Sequence, residues 1–204
     1  MRTRLLLVRH GETSYTARKV YCGHADPPLS AKGEAQARSI RAKLARFRPE
    51  AAYTSDLARA AGTARIALPG MPASPSERLR EMDFGPLEGL SHDEALARYP
   101  VSYRRWLKSP SGGPAPRGVE GAAAFRTRIV RAMRLIAEAN PGRTVAVFCH
   151  GGPVSVFLSW IYGSDDIWGY LPAPAGVGVA DFLDGKPRVV SFSRAPRGRT
   201  IWKK

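Results

Sequence analysis

Two histidines in this chain each follow an apolar run and precede glycine: His10 after Leu5-Leu6-Leu7-Val8-Arg9, and His150 after Thr144-Val145-Ala146-Val147-Phe148-Cys149. Imidazole has a reference pKa of about 6.5, so at pH 7 its neutral form dominates and can act as a nucleophile or base. Arg9 stands beside the first of them, and the end of an apolar strand suits a guanidinium only where an anion lies there. A lone histidine at a strand end is more often a satisfied polar residue. Two such ends in a chain with 4 His argue for a shared site.

Two further residue types complete the set. Ser55-Asp56-Leu57-Ala58-Arg59-Ala60 follows a short predicted strand, which puts Arg59 on the first turn of a helix. Helix N-termini and guanidinium forks both favour phosphate oxygens. Glu81, in Leu79-Arg80-Glu81-Met82-Asp83-Phe84-Gly85, adds a carboxylate whose apolar neighbours Met82 and Phe84 would raise its pKa by desolvation. Two permanent cations, two imidazoles and one carboxylate suit phosphoryl transfer. The arginines neutralise phosphoryl oxygens, an imidazole attacks, and the carboxylic acid protonates the leaving oxygen. Neither an Asp-rich cluster nor Cys/His ligand spacing points to a metal, and no cofactor is expected.

These residues need elements to carry them to one place. Short apolar runs read as buried parallel strands, which deliver their next residues to the crevice at the sheet's carboxyl edge. Residues 11–29 form a long Gly- and Pro-rich loop of the kind that is usually functional. Ser30 caps a predicted helix over 31–47 with Ala35, Ile40, Leu44 and Phe47 on its buried face. A strand over 51–55 leads to a helix over 57–68 capped by Asp56. Residues 69–80 read as irregular, 91–108 as short helices and 109–119 as loop. A helix over 120–140, a strand over 144–149 and a helix over 153–162 follow. Two strands near 176–183 and 188–193, joined by Asp184-Gly185, form a hairpin. The expected fold is α/β: a three-layer sandwich with a mostly parallel central sheet, helices on both faces, an antiparallel edge strand and a lid-like insertion around 82–119. Residues 1–193 read as one domain and 194–204 as a basic C-terminal tail.

Composition narrows the class. The 204 residues suit one domain with a sizeable core, and 44% hydrophobic with 24% charged residues is ordinary for a soluble protein. No apolar stretch reaches the roughly 20 residues of a membrane span, and Met1-Arg2-Thr3-Arg4 runs straight into the first strand, so a cytoplasmic chain without membrane contact is expected. With 2 Cys there is no disulfide framework. The net charge of +15 would suit an anionic partner. Its arginines and lysines, such as Arg38, Arg41, Lys43, Arg46 and Arg48, follow helical faces without interleaved aromatics or a nucleic-acid motif. They therefore read as solvated surface rather than as a nucleic-acid interface.

Leu-Val-Arg-His-Gly-Glu-Thr at 7–13, Tyr-Cys-Gly-His-Ala-Asp-Pro-Pro-Leu-Ser at 21–30, Ser-Asp-Leu-Ala-Arg-Ala at 55–60, Leu-Arg-Glu-Met-Asp-Phe-Gly-Pro-Leu-Glu-Gly at 79–89 and Cys-His-Gly-Gly at 149–152 together resemble the histidine phosphatase superfamily, also called phosphoglycerate-mutase-like. The likeness in order and spacing runs over about residues 3 to 190. It implies that His10 attacks phosphorus to give phosphohistidine, that Arg9, Arg59 and His150 bind the phosphoryl group, and that Glu81 protonates the leaving alkoxide. Thr16, Cys22 and Gly23 would line the phosphate loop, and Gly151 is grouped with them as substrate-binding. Many members carry Asn where this chain has Thr16, a change that leaves one hydroxyl donor. Glu12 and Glu88 are expected to be structural, and His24 and His92 have no assigned role. Tyr103 and Trp106 are expected to pack, with a leaving-group wall as the other use.

The favoured activity is a metal-independent phosphomonoester hydrolase acting on a small molecule. A bisphosphoglycerate-dependent mutase is the first alternative. By resemblance, mutases keep an Asn two residues after the second His, where Gly152 stands, and a Lys about eleven residues after the acid, where His92 stands. The second alternative is a catalytically idle phospholigand- or nucleic-acid-binding module, and a phosphohistidine phosphatase comes last. The substrate's alcohol, whether alpha-ribazole, a sugar, a glycerate or many, is not legible in these residues, nor is the oligomeric state. The leaving group is expected to meet the 82–119 segment.

Overall fold

In a computed structural model that describes residues 1–108 and 113–195, the chain runs β1 (Arg2–Arg9), α1 (Ser14–Arg18), α2 (Ala31–Ser39), α3 (Arg41–Phe47), β2 (Ala51–Thr54), α4 (Ala58–Ala67) and β3 (Ser74–Pro75). Then come α5 (His92–Arg98), α6 (Pro100–Lys108), α7 (Ala122–Glu138), β4 (Thr144–Cys149), α8 (Gly151–Ile161), β5 (Val177–Leu183) and β6 (Lys186–Ser191). Among the described residues six strands form one sheet in the order β3-β2-β4-β1-β5-β6. Pairings β3–β2, β2–β4 and β4–β1 are parallel, while β1–β5 and β5–β6 are antiparallel. The expected hairpin turns at Asp184 and Gly185, both with positive φ (48° and 79°), as a two-residue turn matched to strand twist requires.

The period-2 pattern of the central strands divides the core. Leu5, Leu7, Val145, Val147 and Cys149 face one layer, in which α7 and α8 supply Phe125, Ile129, Met133, Val154 and Phe157. Leu6, Val8, Ala146, Phe148, Val177 and Val179 face the other, covered by Ile40, Leu44, Ala64 and Ala67. Both faces of β1 and β4 are thus buried, which is why these strands read as continuous apolar runs. The three layers match the expected sandwich.

Several local expectations are corrected. The helix expected over 31–47 breaks at Ile40, and its buried positions are Gly33, Ala37, Ile40 and Leu44, one helical face that leaves Ala35 exposed. The long loop contains α1, whose Thr13 and Thr16 close a capping box. Asp56 does not cap α4. Its N-cap is Leu57, Asp26 accepts the Ala58 N–H at 2.9 Å from another loop, and Asp56 instead pairs with Arg80. The stretch expected to be irregular holds β3 and a 3-10 turn over Glu77–Leu79. Helix α8 begins two residues early, because Pro153 sits in its first turn, where its missing N–H costs nothing.

The insertion adds α5 and α6 to the core layer of α7 and α8, with Tyr103 and Trp106 buried in the cluster that also holds Tyr21, Phe84 and Leu87. Of the loop expected over 109–119, residues 109–112 lie outside the described residues. So does the expected basic tail, apart from Arg194 and Ala195. Arg194 bridges to Pro172 and lies over the Tyr170 ring at 4.5 Å. No described helix is long and apolar enough to cross a membrane.

Candidate active site

Topology brings the two histidines together. β4 enters between β2 and β1, pairing Arg9 with Cys149, and the His10 N–H donates to the Cys149 carbonyl at 3.0 Å. Each strand ends at the same edge and hands its next residue to the same crevice. The ring centroids of His10 and His150 are 5.1 Å apart and their planes are inclined by 65°. Arg59, in the first turn of α4 beyond β2, is fully buried, and its Nε–H donates to His150 Nδ1 at 3.2 Å. Its other nitrogens donate to the carbonyls of Gly23 (2.6 Å) and Ala25 (2.7 Å).

Hydrogen-bond directions fix both imidazole tautomers. His10 Nδ1 lies 2.6 Å from the Gly11 carbonyl, which can only accept, so Nδ1 carries the hydrogen and Nε2 keeps its lone pair. At His150 the order is reversed. Nδ1 accepts from Arg59, so Nε2 carries the hydrogen and donates to Ser55 Oγ at 2.9 Å. Burial first, and then the Arg59 charge, holds the pKa of both rings well below the ordinary histidine value. Both are neutral at pH 7.

A cavity of about 90 Å³ opens over His10 and is lined by Arg9, Thr16, Cys22, Glu81 and Gly151. Five of the sequence-predicted residues thus share a wall with His10. Arg59, His150 and Gly23 do not line it: Arg59 and His150 show 0% exposure, and Gly23 is tied to Arg59 through its carbonyl. Arg9 donates to the Pro172 carbonyl at 2.7 Å, while its Nε is buried with no hydrogen-bond partner. A buried orphan donor on a cation is what an anion would satisfy. Thr16 Oγ1 meets Thr13 Oγ1 at 3.0 Å within the capping box.

Glu81 is 7% exposed and its pKa is raised, by burial above all, against backbone N–H groups and arginines that favour the charged form. Met82 N–H donates to Oε1 at 3.0 Å and Gly152 N–H to Oε2 at 2.9 Å. Arg128 holds the backbone behind it, donating to the carbonyls of Arg80 (2.9 Å) and Glu81 (3.2 Å) while it pairs with Glu120. Burial pushes the Cys22 thiol up to about 11.

The remaining carboxylates and histidines have other partners. Glu12 pairs with Lys32 at 2.8 Å. Glu88 accepts N–H bonds from Gly23, His24, Ala25 and Phe84, pinning the loop that carries Cys22. His24 faces Asp83 at 3.7 Å, and His92 meets the Tyr103 hydroxyl at 3.0 Å. No group of three or more His, Cys, Asp or Glu that could hold a metal occurs among the described residues.

The lining of the cavity takes little from the 82–119 segment, and Tyr103 and Trp106 pack as expected. Beyond Glu81, only Phe84 of the 82–119 segment, among the described residues, lines the cavity. Tyr103 and Trp106 are core, their aromatic faces used by Tyr21 and Phe84. The wall comes instead from Lys19, Val20 and Tyr21 after α1, and from Trp168 and Leu171 after α8. Sequence reasoning missed these because nothing local marks them. Ser55 was also missed, although it lies within a quoted motif, and Gly152 was singled out only as the position where mutases keep Asn.

A sequence model of the histidine phosphatase superfamily (branch 1) matches residues 5–194. The chain is 31% identical over 162 residues to adenosylcobalamin/alpha-ribazole phosphatase of Escherichia coli (strain K12), covering 78% of this chain and 79% of that protein. It is 30% identical over 165 residues to 2,3-bisphosphoglycerate-dependent phosphoglycerate mutase 2 of Gloeobacter violaceus, covering 76% and 73%. The solved structure of YhfR from Bacillus stearothermophilus superposes with a TM-score of 0.88 at 28% identity, covering 95% of this chain and 98% of that one.

Proposed function

Because this chain belongs to the histidine phosphatase superfamily, an enzyme family of phosphoryl transfer, we propose that it is a metal-independent phosphomonoester hydrolase working through phosphohistidine. The observation that carries this reading is the neutral His10 ring, whose Nδ1–H is held by the Gly11 carbonyl so that Nε2 is the free lone pair. Nε2 attacks phosphorus, and the ester P–O bond breaks. Glu81, whose raised pKa keeps a proton available, gives that proton to the departing alkoxide. Water then attacks the phosphohistidine, Glu81 takes its proton, and the P–N bond breaks to release phosphate. Arg9 and Arg59 offset the phosphoryl charge, while His150, tied to Arg59, shapes the floor. Thr16, Cys22, Gly23 and Gly151 bound the phosphate loop.

Residues 1–193 form the one domain of this enzyme, and a small phosphorylated metabolite in the cytoplasm is its substrate. Relatives named for alpha-ribazole phosphate and phosphoserine supply the first candidates. Phosphate release from a panel of these esters, 3-phosphoglycerate and an aryl phosphate, in EDTA, tests the proposal. Wild type should turn over at least one ester and His10→Ala none. Turnover surviving in His10→Ala sinks the nucleophile, and loss in EDTA sinks metal independence. Interconversion of 2- and 3-phosphoglycerate with a bisphosphoglycerate primer, without net hydrolysis, would favour the mutase.

A further inference from the structure

We propose that Lys19 is a specificity-determining residue that reads a carboxylate on the alcohol part of the substrate. The proposal deepens the reading of the site as a phosphomonoesterase and rests on it. It starts from the charges around the cavity. Among the described lining residues only Arg9, Glu81 and Lys19 carry charged side-chain types, and His10 is neutral. Arg9 turns an unpartnered Nε to the phosphoryl group, and Glu81 handles the proton. Lys19 is the cation that takes no part in those steps.

Its place sets it apart from the reacting atoms. His10 and Glu81 are 5% and 7% exposed, whereas Lys19 is exposed and so stands at the cavity's mouth. Val20, Phe84, Trp168 and Leu171 make an apolar wall that suits a carbon skeleton, and Tyr21 commits its hydroxyl to Tyr103 at 2.6 Å. An anionic group at the mouth therefore meets one cation. That cation is available: among the described residues no carboxylate pairs with Lys19, whereas Lys32 is held by Glu12. The helix end does not account for it, because Arg18 already supplies a cation to the last turn of α1. Lys19 is the C-cap of that helix in a left-handed conformation (φ 57°, ψ 43°), its N–H bonded to the Tyr15 and Thr16 carbonyls. The backbone is thus fixed beside Thr16 while the ammonium swings on its stem. One ammonium balances a monoanion, which favours a carboxylate over a second phosphate. A grip so far from the breaking P–O bond is equal in ground and transition states, so it lowers KM and leaves kcat alone.

The test uses 3-phosphoglycerate and glycerol 3-phosphate, which differ by a carboxylate in place of a hydroxymethyl group. Turnover and thermal melting are compared for wild type, Lys19→Gln, Lys19→Gly and Lys19→Arg. Calorimetry measures binding of both esters to His10→Ala and to the His10→Ala, Lys19→Gln double variant. Lys19→Gln and Lys19→Gly should raise KM for 3-phosphoglycerate roughly tenfold with kcat held. KM for glycerol 3-phosphate should stay within about threefold of wild type. Lys19→Arg should keep the preference, and added salt should shrink it in wild type but not in Lys19→Gln. Lys19→Gly should melt no lower than wild type, because glycine takes the left-handed conformation without a Cβ penalty. Equal losses on both esters, a loss in kcat alone, or a wild type indifferent to the carboxylate would overturn the proposal. Should wild type hydrolyse neither ester, the phosphatase reading fails on its own and calorimetry still decides for Lys19. A carboxylate preference in His10→Ala that the double variant loses supports the proposal, and absence of preference or of binding refutes it.

Discussion

The chemistry of this site depends on which nitrogen of each imidazole holds its hydrogen. His10 and His150 are neutral for the same reason, burial beside guanidinium groups, yet they hold opposite tautomers because one faces a carbonyl and the other an arginine and a serine. That the two histidines would meet was legible in the sequence, since each follows an apolar run and precedes glycine. The tautomers were not. Ser55 and His150 stand 95 residues apart, and only the insertion of β4 beside β2 brings them within 2.9 Å. Ser55→Ala would leave the His150 N–H buried without an acceptor, a loss of about 1–3 kcal/mol. A lowered denaturation midpoint is expected, with a shift of the His150 ring nitrogens in 15N NMR as the ring seeks another arrangement. Unchanged stability and unchanged ring signals would refute the serine's role.

At the scale of elements, strands were legible and loops were not. β4 was read to the residue because both of its faces are buried and every side chain after Thr144 is buried. The loop that carries Thr16 and Cys22 was read only as functional, and its order depends on distant groups. Glu88 gathers the N–H groups of Gly23, His24 and Ala25 on one carboxylate, and those same turns present the Gly23 and Ala25 carbonyls to Arg59. The contact between α2 and the loop after β1 is equally remote from local sequence: a Cβ on Gly33 would strike the Glu12 carbonyl, and the Gln36 side chain accepts the Glu12 N–H at 2.8 Å. Glu88→Gln turns one of two acceptor oxygens into a donor facing N–H groups, which should cost about 1–3 kcal/mol. Because the loop seats Arg59, inhibition by inorganic phosphate should weaken as well. A stability loss with phosphate inhibition unaltered would show that Glu88 supports the fold and not the phosphate pocket.

For the molecule as a whole, the layered architecture followed from hydropathy, whereas the wall of the cavity followed from topology. Trp168 and Leu171 reach it from beyond α8, with no periodicity to announce them. The basic surface remains a set of exposed helical side chains, Arg38, Arg41, Lys43, Arg46 and Arg48 among them. The site's ionisation, rather than this surface charge, should govern how stability varies with pH near neutrality. His10 and His150 have lowered pKa values, so below about 6.5 the unfolded chain binds protons that the folded one refuses, and acid costs stability by up to about 1.4 kcal/mol per pH unit for each ring. Glu81 works the other way: its raised pKa makes its contribution full below its ordinary value and lost as pH rises through the raised one. Asp56 and Asp181, held down by Arg80 and Arg4, stabilise the fold until pH falls below about 3.8, outside this window. Two imidazoles outweigh one carboxyl, so urea unfolding should show a net loss of about 1–2 kcal/mol from pH 7.5 to 5.5. Glu81→Gln, neutral at every pH, lacks the carboxyl's opposing contribution and should lose more stability than wild type between pH 8 and 5, whatever constant amount its amide costs against the Met82 or Gly152 N–H. Wild-type stability that rises on acidification through this window, or a Glu81→Gln curve flatter than that of wild type, would contradict the charge balance derived for the site.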